Sequence, residues 1–313
     1  MRPPTPAELP RQAVHLPFEA GPYRMAMALT ACPVADWIEL DEQYRQEMAL
    51  RRSLLAARHA DVFGAIPGAA AAGRETLDLL AAHLPARFPD WFARDGETLR
   101  NRLTGETWDL AAPPVDPLEL AGRLVQEDLC VVQLDRAVPR LAAAVLCFPS
   151  RWRLADKLGR PLAEVHGPVP LYAERLARPV DRLMAAIRPG RVALRLNWSV
   201  VDDPALFQPT GKFRTAYDSA ITAENAGAAL CLRVERQTLR LLPTSGGVLF
   251  GIRVHVYPLA RIAAAAEVAA RLAAAVRALP EETVRYKSLA PFRAALLDYL
   301  DRQAGPARRQ DQE

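Results

Sequence analysis

The rhythm of apolar and polar positions changes partway along the chain. Residues 33–60 suit one helix entered at Pro33-Val34-Ala35-Asp36, with Asp36 placed to cap the orphan amides. Residues 76–82 suggest a second helix, ended by Leu84-Pro85. Phe88-Pro89-Asp90-Trp91-Phe92 is aromatic-rich and is expected to pack on the core, and residues 111–117 read as a proline-rich connector. The period then shortens. Residues 129–134 and 142–148 are apolar runs of strand length across a turn near Pro139, which predicts a hairpin. A helical stretch follows over about 150–187, broken at Gly159-Arg160-Pro161 and Gly167-Pro168. Three more strand-like runs come next, at 192–200, 229–242 and 248–257, the last reached through the turn Pro243-Thr244-Ser245-Gly246-Gly247. The chain ends in helices, with an amphipathic one expected over 263–278, and a polar, frayed tail over 305–313.

Strands that are grouped, instead of alternating with helices, predict an antiparallel sheet with helices packed on it, an α+β class. The expected layout is a helical N-terminal extension over 1–120, a core carrying a five-stranded sheet over 121–258, and C-terminal helices over 259–304. The chain order of two strands, helices, then three strands is also that of a PAS domain.

Composition adds little beyond an ordinary globular balance, 50% hydrophobic and 24% charged. The net charge is +4, and only three of the 40 basic residues are lysines, Lys157, Lys212 and Lys287. The arginines are interspersed with acids instead of forming a stripe, so nucleic acid is not an expected partner. No apolar run has the length of a membrane span, and the N-terminus has no apolar signal core, so a cytoplasmic protein is expected. The four cysteines are far apart and lack zinc spacing, which reads as buried free thiols in a reducing compartment.

The chemistry concentrates in Phe148 to Tyr172, where His166 stands beside Gly167-Pro168. A Gly-Pro after a histidine fixes the backbone and leaves room for a flat ligand. A core histidine bonded to a carbonyl is the bland alternative. His15, His59 and His83 sit in a leader or at helix ends. His255 alternates with Arg253 and Tyr257 on one strand face, either lining a cavity or facing solvent.

The runs FPSRWRLADKLGRPLAEVHGPVPLY, LRLNWS, TAENAG and LRVERQTLRLLPTSGGVLFGIRVHVYPL, with PFEAGPYRMAMAL and DWIELDEQY nearer the N-terminus, resemble the haem-dependent oxidative N-demethylase α-subunit family. The resemblance runs over about 17–299. It implies a PAS-like domain binding haem b. The activity it implies is oxidation of a dimethylamine-like secondary amine by oxygen, releasing formaldehyde. Electrons would come from NADPH through partner flavin and iron–sulfur subunits. The chain has no Gly-rich dinucleotide fingerprint and no cysteine cluster, as suits a catalytic subunit alone.

On this resemblance His166, the histidine before the third core strand, is the iron ligand, and Lys157 in the same motif joins it at the cofactor. Arg195 shares a strand face with Asn197 and Ser199, and is the candidate to reach over the open haem face. A cationic amine would need a carboxylate or other acceptor. Glu235 is one candidate, with surface ion pairs as its alternative, and Glu42, Tyr44 and Glu224 are others. Arg253 could pair with a haem propionate or balance Glu235, and His255 could line the cofactor site. A haem PAS gas sensor, or a haem-binding protein without turnover, is the alternative function. It would tolerate an apolar pocket, whereas the enzyme calls for a polar one with a carboxylate.

Overall fold

The computed structural model describes residues 8–134 and 138–305. The tail expected beyond Gly305 lies outside them. Among the described residues ten strands form: β1 (Thr30–Cys32), β2 (Phe63–Ala65), β3 (Phe92–Asp95), β4 (Thr98–Asn101), β5 (Thr107–Asp109), β6 (Asp128–Gln133), β7 (Arg140–Val145), β8 (Val192–Val201), β9 (Cys231–Leu241) and β10 (Val248–Pro258). Seven make one antiparallel sheet in the order β1-β8-β9-β10-β6-β7-β2, and β3-β4-β5 make a small meander. The five strands read from the pattern are its centre. The sheet is wider than expected because three-residue segments, too short to show alternation, pair onto both outer edges.

The turn between β9 and β10 is closed by Leu242 and Gly247, with Gly246 at φ +74°, a left-handed conformation that favours glycine. In full register across β8, β9 and β10, Asn197 lies opposite Glu235 and Glu235 opposite Val254. The two sheet faces then separate cleanly. Arg195, Asn197, Ser199, Arg233, Glu235 and Gln237 share one face. Leu196, Trp198, Leu232, Arg253, His255 and Tyr257 share the other.

The helices are α1 (Tyr44–Ala57), α2 (His59–Val62), α3 (Ala70–Arg87) and α4 (Pro117–Gly122), then α5 (Leu162–Val165), α6 (Tyr172–Arg175) and α7 (Ala177–Ala186) between β7 and β8. After these come α8 (Ala226–Ala229), α9 (Leu259–Ile262), α10 (Ala266–Ala278), α11 (Glu281–Tyr286) and α12 (Arg293–Ala304). The single helix expected over 33–60 is instead a 3₁₀ turn at Val34–Asp36, an extended stretch, and α1. Asp36 caps nothing. Trp37, Ile38 and Leu40 are buried in the stretch between, while Glu39 and Asp41 pair with sheet arginines, and these tertiary contacts override helix formation. The second helix is longer than 76–82 and keeps Pro85 in its last turn, where one lost hydrogen bond is tolerated. The meander β3-β4-β5 corrects an expectation of helix there, and Phe88 and Phe92 bury into the core as the aromatic run suggested.

Core residues from β8–β10 pack with α9 to α12 on one side, including Val234, Tyr257, Leu272 and Leu296. Residues of α1, α3 and α4 pack with β6 and β7 in another cluster. Gly122 of α4 lies so close to Val145 that a Cβ would stand 2.7 Å from its Cγ1, so the helix and strand meet through a bare backbone. All four cysteines are buried free thiols. Among the described residues no helix is long and apolar enough to cross a membrane.

Candidate functional site

The short helix α5 starts after Pro161, and His166 is the residue that ends it. Its backbone N–H reaches back to the Leu162 carbonyl at 3.0 Å, and its Nδ1 lies 2.9 Å from the same oxygen. A carbonyl only accepts, so Nδ1 carries the proton. Nε2 is left with its lone pair and no hydrogen bond among the described residues. The ring stacks on Tyr172 with centroids 4.5 Å apart. Burial, with the nearby charges of Lys157 and Arg195, pushes the imidazole down to about 4 despite the hydrogen bond to Leu162. His166 is therefore neutral near pH 7, oriented through Nδ1 and open at Nε2. That is the form in which histidine binds a metal.

The polar face of β8 and β9 lies near enough for the Arg195 charge to act on this ring. Glu235 accepts from Asn197 Nδ2 at 3.2 Å and from Gln237 Nε2 at 2.7 Å. Burial would raise its carboxyl, but the Ser150 hydroxyl, the Arg233 charge, Asn197 and Lys212 together hold it below the usual range, so it is an anion. Arg233 donates to the Ser150 hydroxyl at 2.8 Å and to the Phe148 carbonyl at 2.8 Å, tying the end of β7 to the polar face.

All three lysines of the chain surround this carboxylate. Lys157 Nζ donates to the Val165 carbonyl at 2.8 Å, one residue before His166, and lies over the Trp152 ring. Lys212 Nζ lies 4.1 Å from the centre of the Tyr286 ring. Lys287 Nζ donates to Asn197 Oδ1 at 3.4 Å and to the Trp198 carbonyl. Burial lowers each of the three, Lys212 and Lys287 to about 8, against the opposing pull of Glu235. Each lysine keeps some solvent-accessible surface, so none of the three is sealed in the core.

Arg195, opposite Gln237 in the register, makes no hydrogen bond or ion pair among the described residues, and its Nε is buried without a partner. An unmet buried N–H costs about 1–3 kcal/mol. Such a group is available to an acceptor from outside the chain.

Five predicted residues lie elsewhere. Arg253 is fully buried on the opposite sheet face, bound to Asp41 at 2.6 Å and Glu47 at 2.8 Å, so it neither balances Glu235 nor faces the cluster. His255 is on that same far face, with Nε2 3.1 Å from Glu39. It is neither solvated nor part of the His166 cluster. Tyr44 donates to the Leu124 carbonyl at 2.7 Å and accepts from Asn101 in the core. Glu42 is exposed and takes the Gln12 amide. Glu224, also a candidate, is exposed and paired with Arg302. The pairing of Glu235 with surface arginines is corrected too, since its neighbours are buried. Lys212, Lys287, Gln237, Ser150 and Tyr172 are site residues that the motifs did not single out. The signal for the lysines was their rarity in a chain that otherwise uses arginine.

These residues fit a haem. His166 offers a free, neutral Nε2, Arg195 an unmet donor, and Lys212 and Lys287 cationic partners suited to carboxylates. A protein-family model described as haem-dependent oxidative N-demethylase, alpha subunit-like, matches residues 28–297. Most of the chain is covered, and the chain belongs to that haem-dependent oxidative N-demethylase α-subunit-like family.

Proposed function

We propose that this chain is the haem-carrying catalytic subunit of an oxidative N-demethylase. It would convert a small secondary amine of the dimethylamine kind, with oxygen, two electrons and two protons, into a primary amine, formaldehyde and water. The observation that carries the reading is His166, neutral, fixed through Nδ1 and free at Nε2, within reach of the charge of an unmet arginine on the polar strand face. Haem b is held through His166, with Lys157, Lys212 and Lys287 offering charge to its propionates. When bound, the haem supplies the redox chemistry, activating oxygen with electrons that reach it from NADPH through flavin and iron–sulfur partner subunits. A PAS-like reading of the core is supported by the chain order of its five long strands, two before α5 to α7 and three after.

The protein's own residues prepare the substrate. A secondary amine arrives protonated at neutral pH, and its nitrogen lone pair is then unavailable. Glu235, the anion on this face, attracts the ammonium. The surrounding cations work in the other direction once it arrives, because they favour the neutral amine. Lys212 and Lys287, pushed down to about 8, still carry their protons at pH 7 and supply that charge. Lys287 connects to Glu235 through the Asn197 amide. Arg195 directs its unmet N–H to the negative charge that develops on the oxygen side of the reaction. A polar lining with a carboxylate supports an enzyme over a gas sensor.

Formaldehyde assays with haem-loaded protein, dimethylamine, oxygen and a chemical or enzymatic reductant test the reading. Amine-dependent formaldehyde is expected. Haem-loaded protein that yields none from any small secondary amine would sink the enzyme assignment and leave a binding protein.

A further inference from the structure

On the far side of the sheet from His166, three side chains of metal-binding type converge. His15 Nε2 and His255 Nε2 lie 3.3 Å and 3.1 Å from the same oxygen of Glu39, Oε2. The ligand atoms of all three residues lie within 4.8 Å of one another, and the imidazole centroids are 4.9 Å apart. The cluster joins three separate parts of the chain. His15 comes from the segment before β1, Glu39 from the extended stretch before α1, and His255 from β10. Tyr257 anchors the first of these, donating its hydroxyl to the Ala13 carbonyl at 2.7 Å while accepting the His15 amide.

We infer that His15, Glu39 and His255 form a second metal site, binding a borderline divalent cation of the zinc class that clips the N-terminal segment to the sheet. Two imidazoles and one carboxylate are a donor set that zinc accepts in protein sites with one further position open. Tetrahedral bonds of about 2.0–2.1 Å separate such donors by about 3.3 Å. The two contacts to Glu39 already have that spacing, and only the two histidines must draw together. His15 and Glu39 retain 20% and 27% of their side-chain surface, which gives an ion an entry and a water-facing position.

The proton inventory of His255 is the independent observation. The residue is 1% exposed, and its Nδ1 has no hydrogen-bond partner. That nitrogen stands 4.0 Å from a carboxylate oxygen of Asp41. Without a metal, Nε2–H must donate to Glu39, which leaves the Nδ1 lone pair buried and pointed at an anion. A metal on Nε2 resolves it at neutral pH. The proton moves to Nδ1 and faces Asp41, which completes a carboxylate–histidine–metal relay. Glu39 is prepared for the role. Its other oxygen receives Arg236 Nε at 3.0 Å, which fixes the carboxylate with Oε2 turned to the two imidazoles. The basic neighbours, Arg236 and Arg253, are each committed to carboxylates, Arg236 to Glu39 and Arg253 to Asp41 and Glu47. His15 lies outside residues 28–297, so one ligand comes from beyond the family match.

Zinc titration against a chromophoric chelator tests the site, using haem-loaded protein so that His166 is occupied. If the chain takes no haem, the same titration is run on His166→Ala, which keeps this inference separate from the haem reading. One tight zinc equivalent per chain is expected, with cobalt giving visible d–d bands. His15→Ala and Glu39→Gln should each weaken zinc binding by more than about 10-fold, with circular dichroism unchanged. His15→Gln, a milder change at a half-exposed position, covers the case in which a variant fails to fold. No stoichiometric zinc in the wild type, or zinc binding unaltered in the folded variants, would overturn the site.

Discussion

Asn197 and Glu235 face each other in register across β8 and β9, and the asparagine amide donates to the carboxylate at 3.2 Å. The pair is where the polar strand face meets the lysines, because the Asn197 carbonyl oxygen takes Lys287 while its amide takes Glu235. Glu235→Gln should keep the fold's shape and lose the charge that offsets Arg233, Lys212 and Lys287. The expected result is a KM for the amine raised by more than about 10-fold, reflecting about 1.4 kcal/mol of lost ion attraction. Steady-state kinetics on haem-loaded protein check it, and an unchanged KM would remove Glu235 from substrate binding.

Arg195→Ala tests the unmet donor. The variant should retain haem and its ligation, while turnover falls by about 10²-fold or more, the scale of losing one donor aimed at developing charge. Arg195→Lys should recover only part of the loss, because a lysine ammonium lacks the fork of an arginine. Full activity in the alanine variant would assign the unmet Nε to structure.

The lysines carry a signature in haem-free protein. Their folded values, about 8 for Lys212 and Lys287, lie below the unfolded value near 10.4. Between these limits the unfolded chain holds protons that the folded chain has released, so stability rises with pH in that window. At pH 7 both states are protonated and the burial penalty is fully present. Urea unfolding from pH 7.5 to 10 should show this upward slope, and Lys287→Met should flatten it. Stability that falls through this window, or a slope unchanged in Lys287→Met, would show that Lys287 is not depressed by its surroundings.

Arg253 provides a structural control. Its guanidinium is fully buried between Asp41 and Glu47, and removing it leaves two carboxylates uncompensated. Arg253→Met should cost about 3–5 kcal/mol in chemical denaturation. The haem spectrum of whatever fraction stays folded should not change, because Arg253 lies on the far face. A cost below about 1 kcal/mol would contradict the buried pairing.

Which face a residue occupies is legible in the sequence, because strand alternation is strict. It groups Arg195 with Asn197 and Ser199, and Arg253 with His255 and Tyr257, as the sheet does. What covers each face is not legible, since that depends on how distant segments return. The extended stretch around Glu39 and Asp41 buries the Arg253 face, so residues that read as cavity lining are ion-paired core. Lys212 and Lys287 reach Glu235 from a loop and from the end of α11, and no periodicity predicts that meeting. The edge strands β1 and β2 escape the pattern because three residues cannot display an alternation.

Haem ligation by His166 is the central claim, and cavity rescue tests it most directly. The His166→Gly variant, prepared with haem supplied, is compared with wild type by absorption and magnetic circular dichroism, before and after adding imidazole. The account predicts a histidine-ligated Soret spectrum in the wild type, its loss in His166→Gly, and its return when free imidazole fills the space beside Tyr172. A wild type with no Soret band, or a glycine variant that keeps the wild-type ligation spectrum without imidazole, would contradict it.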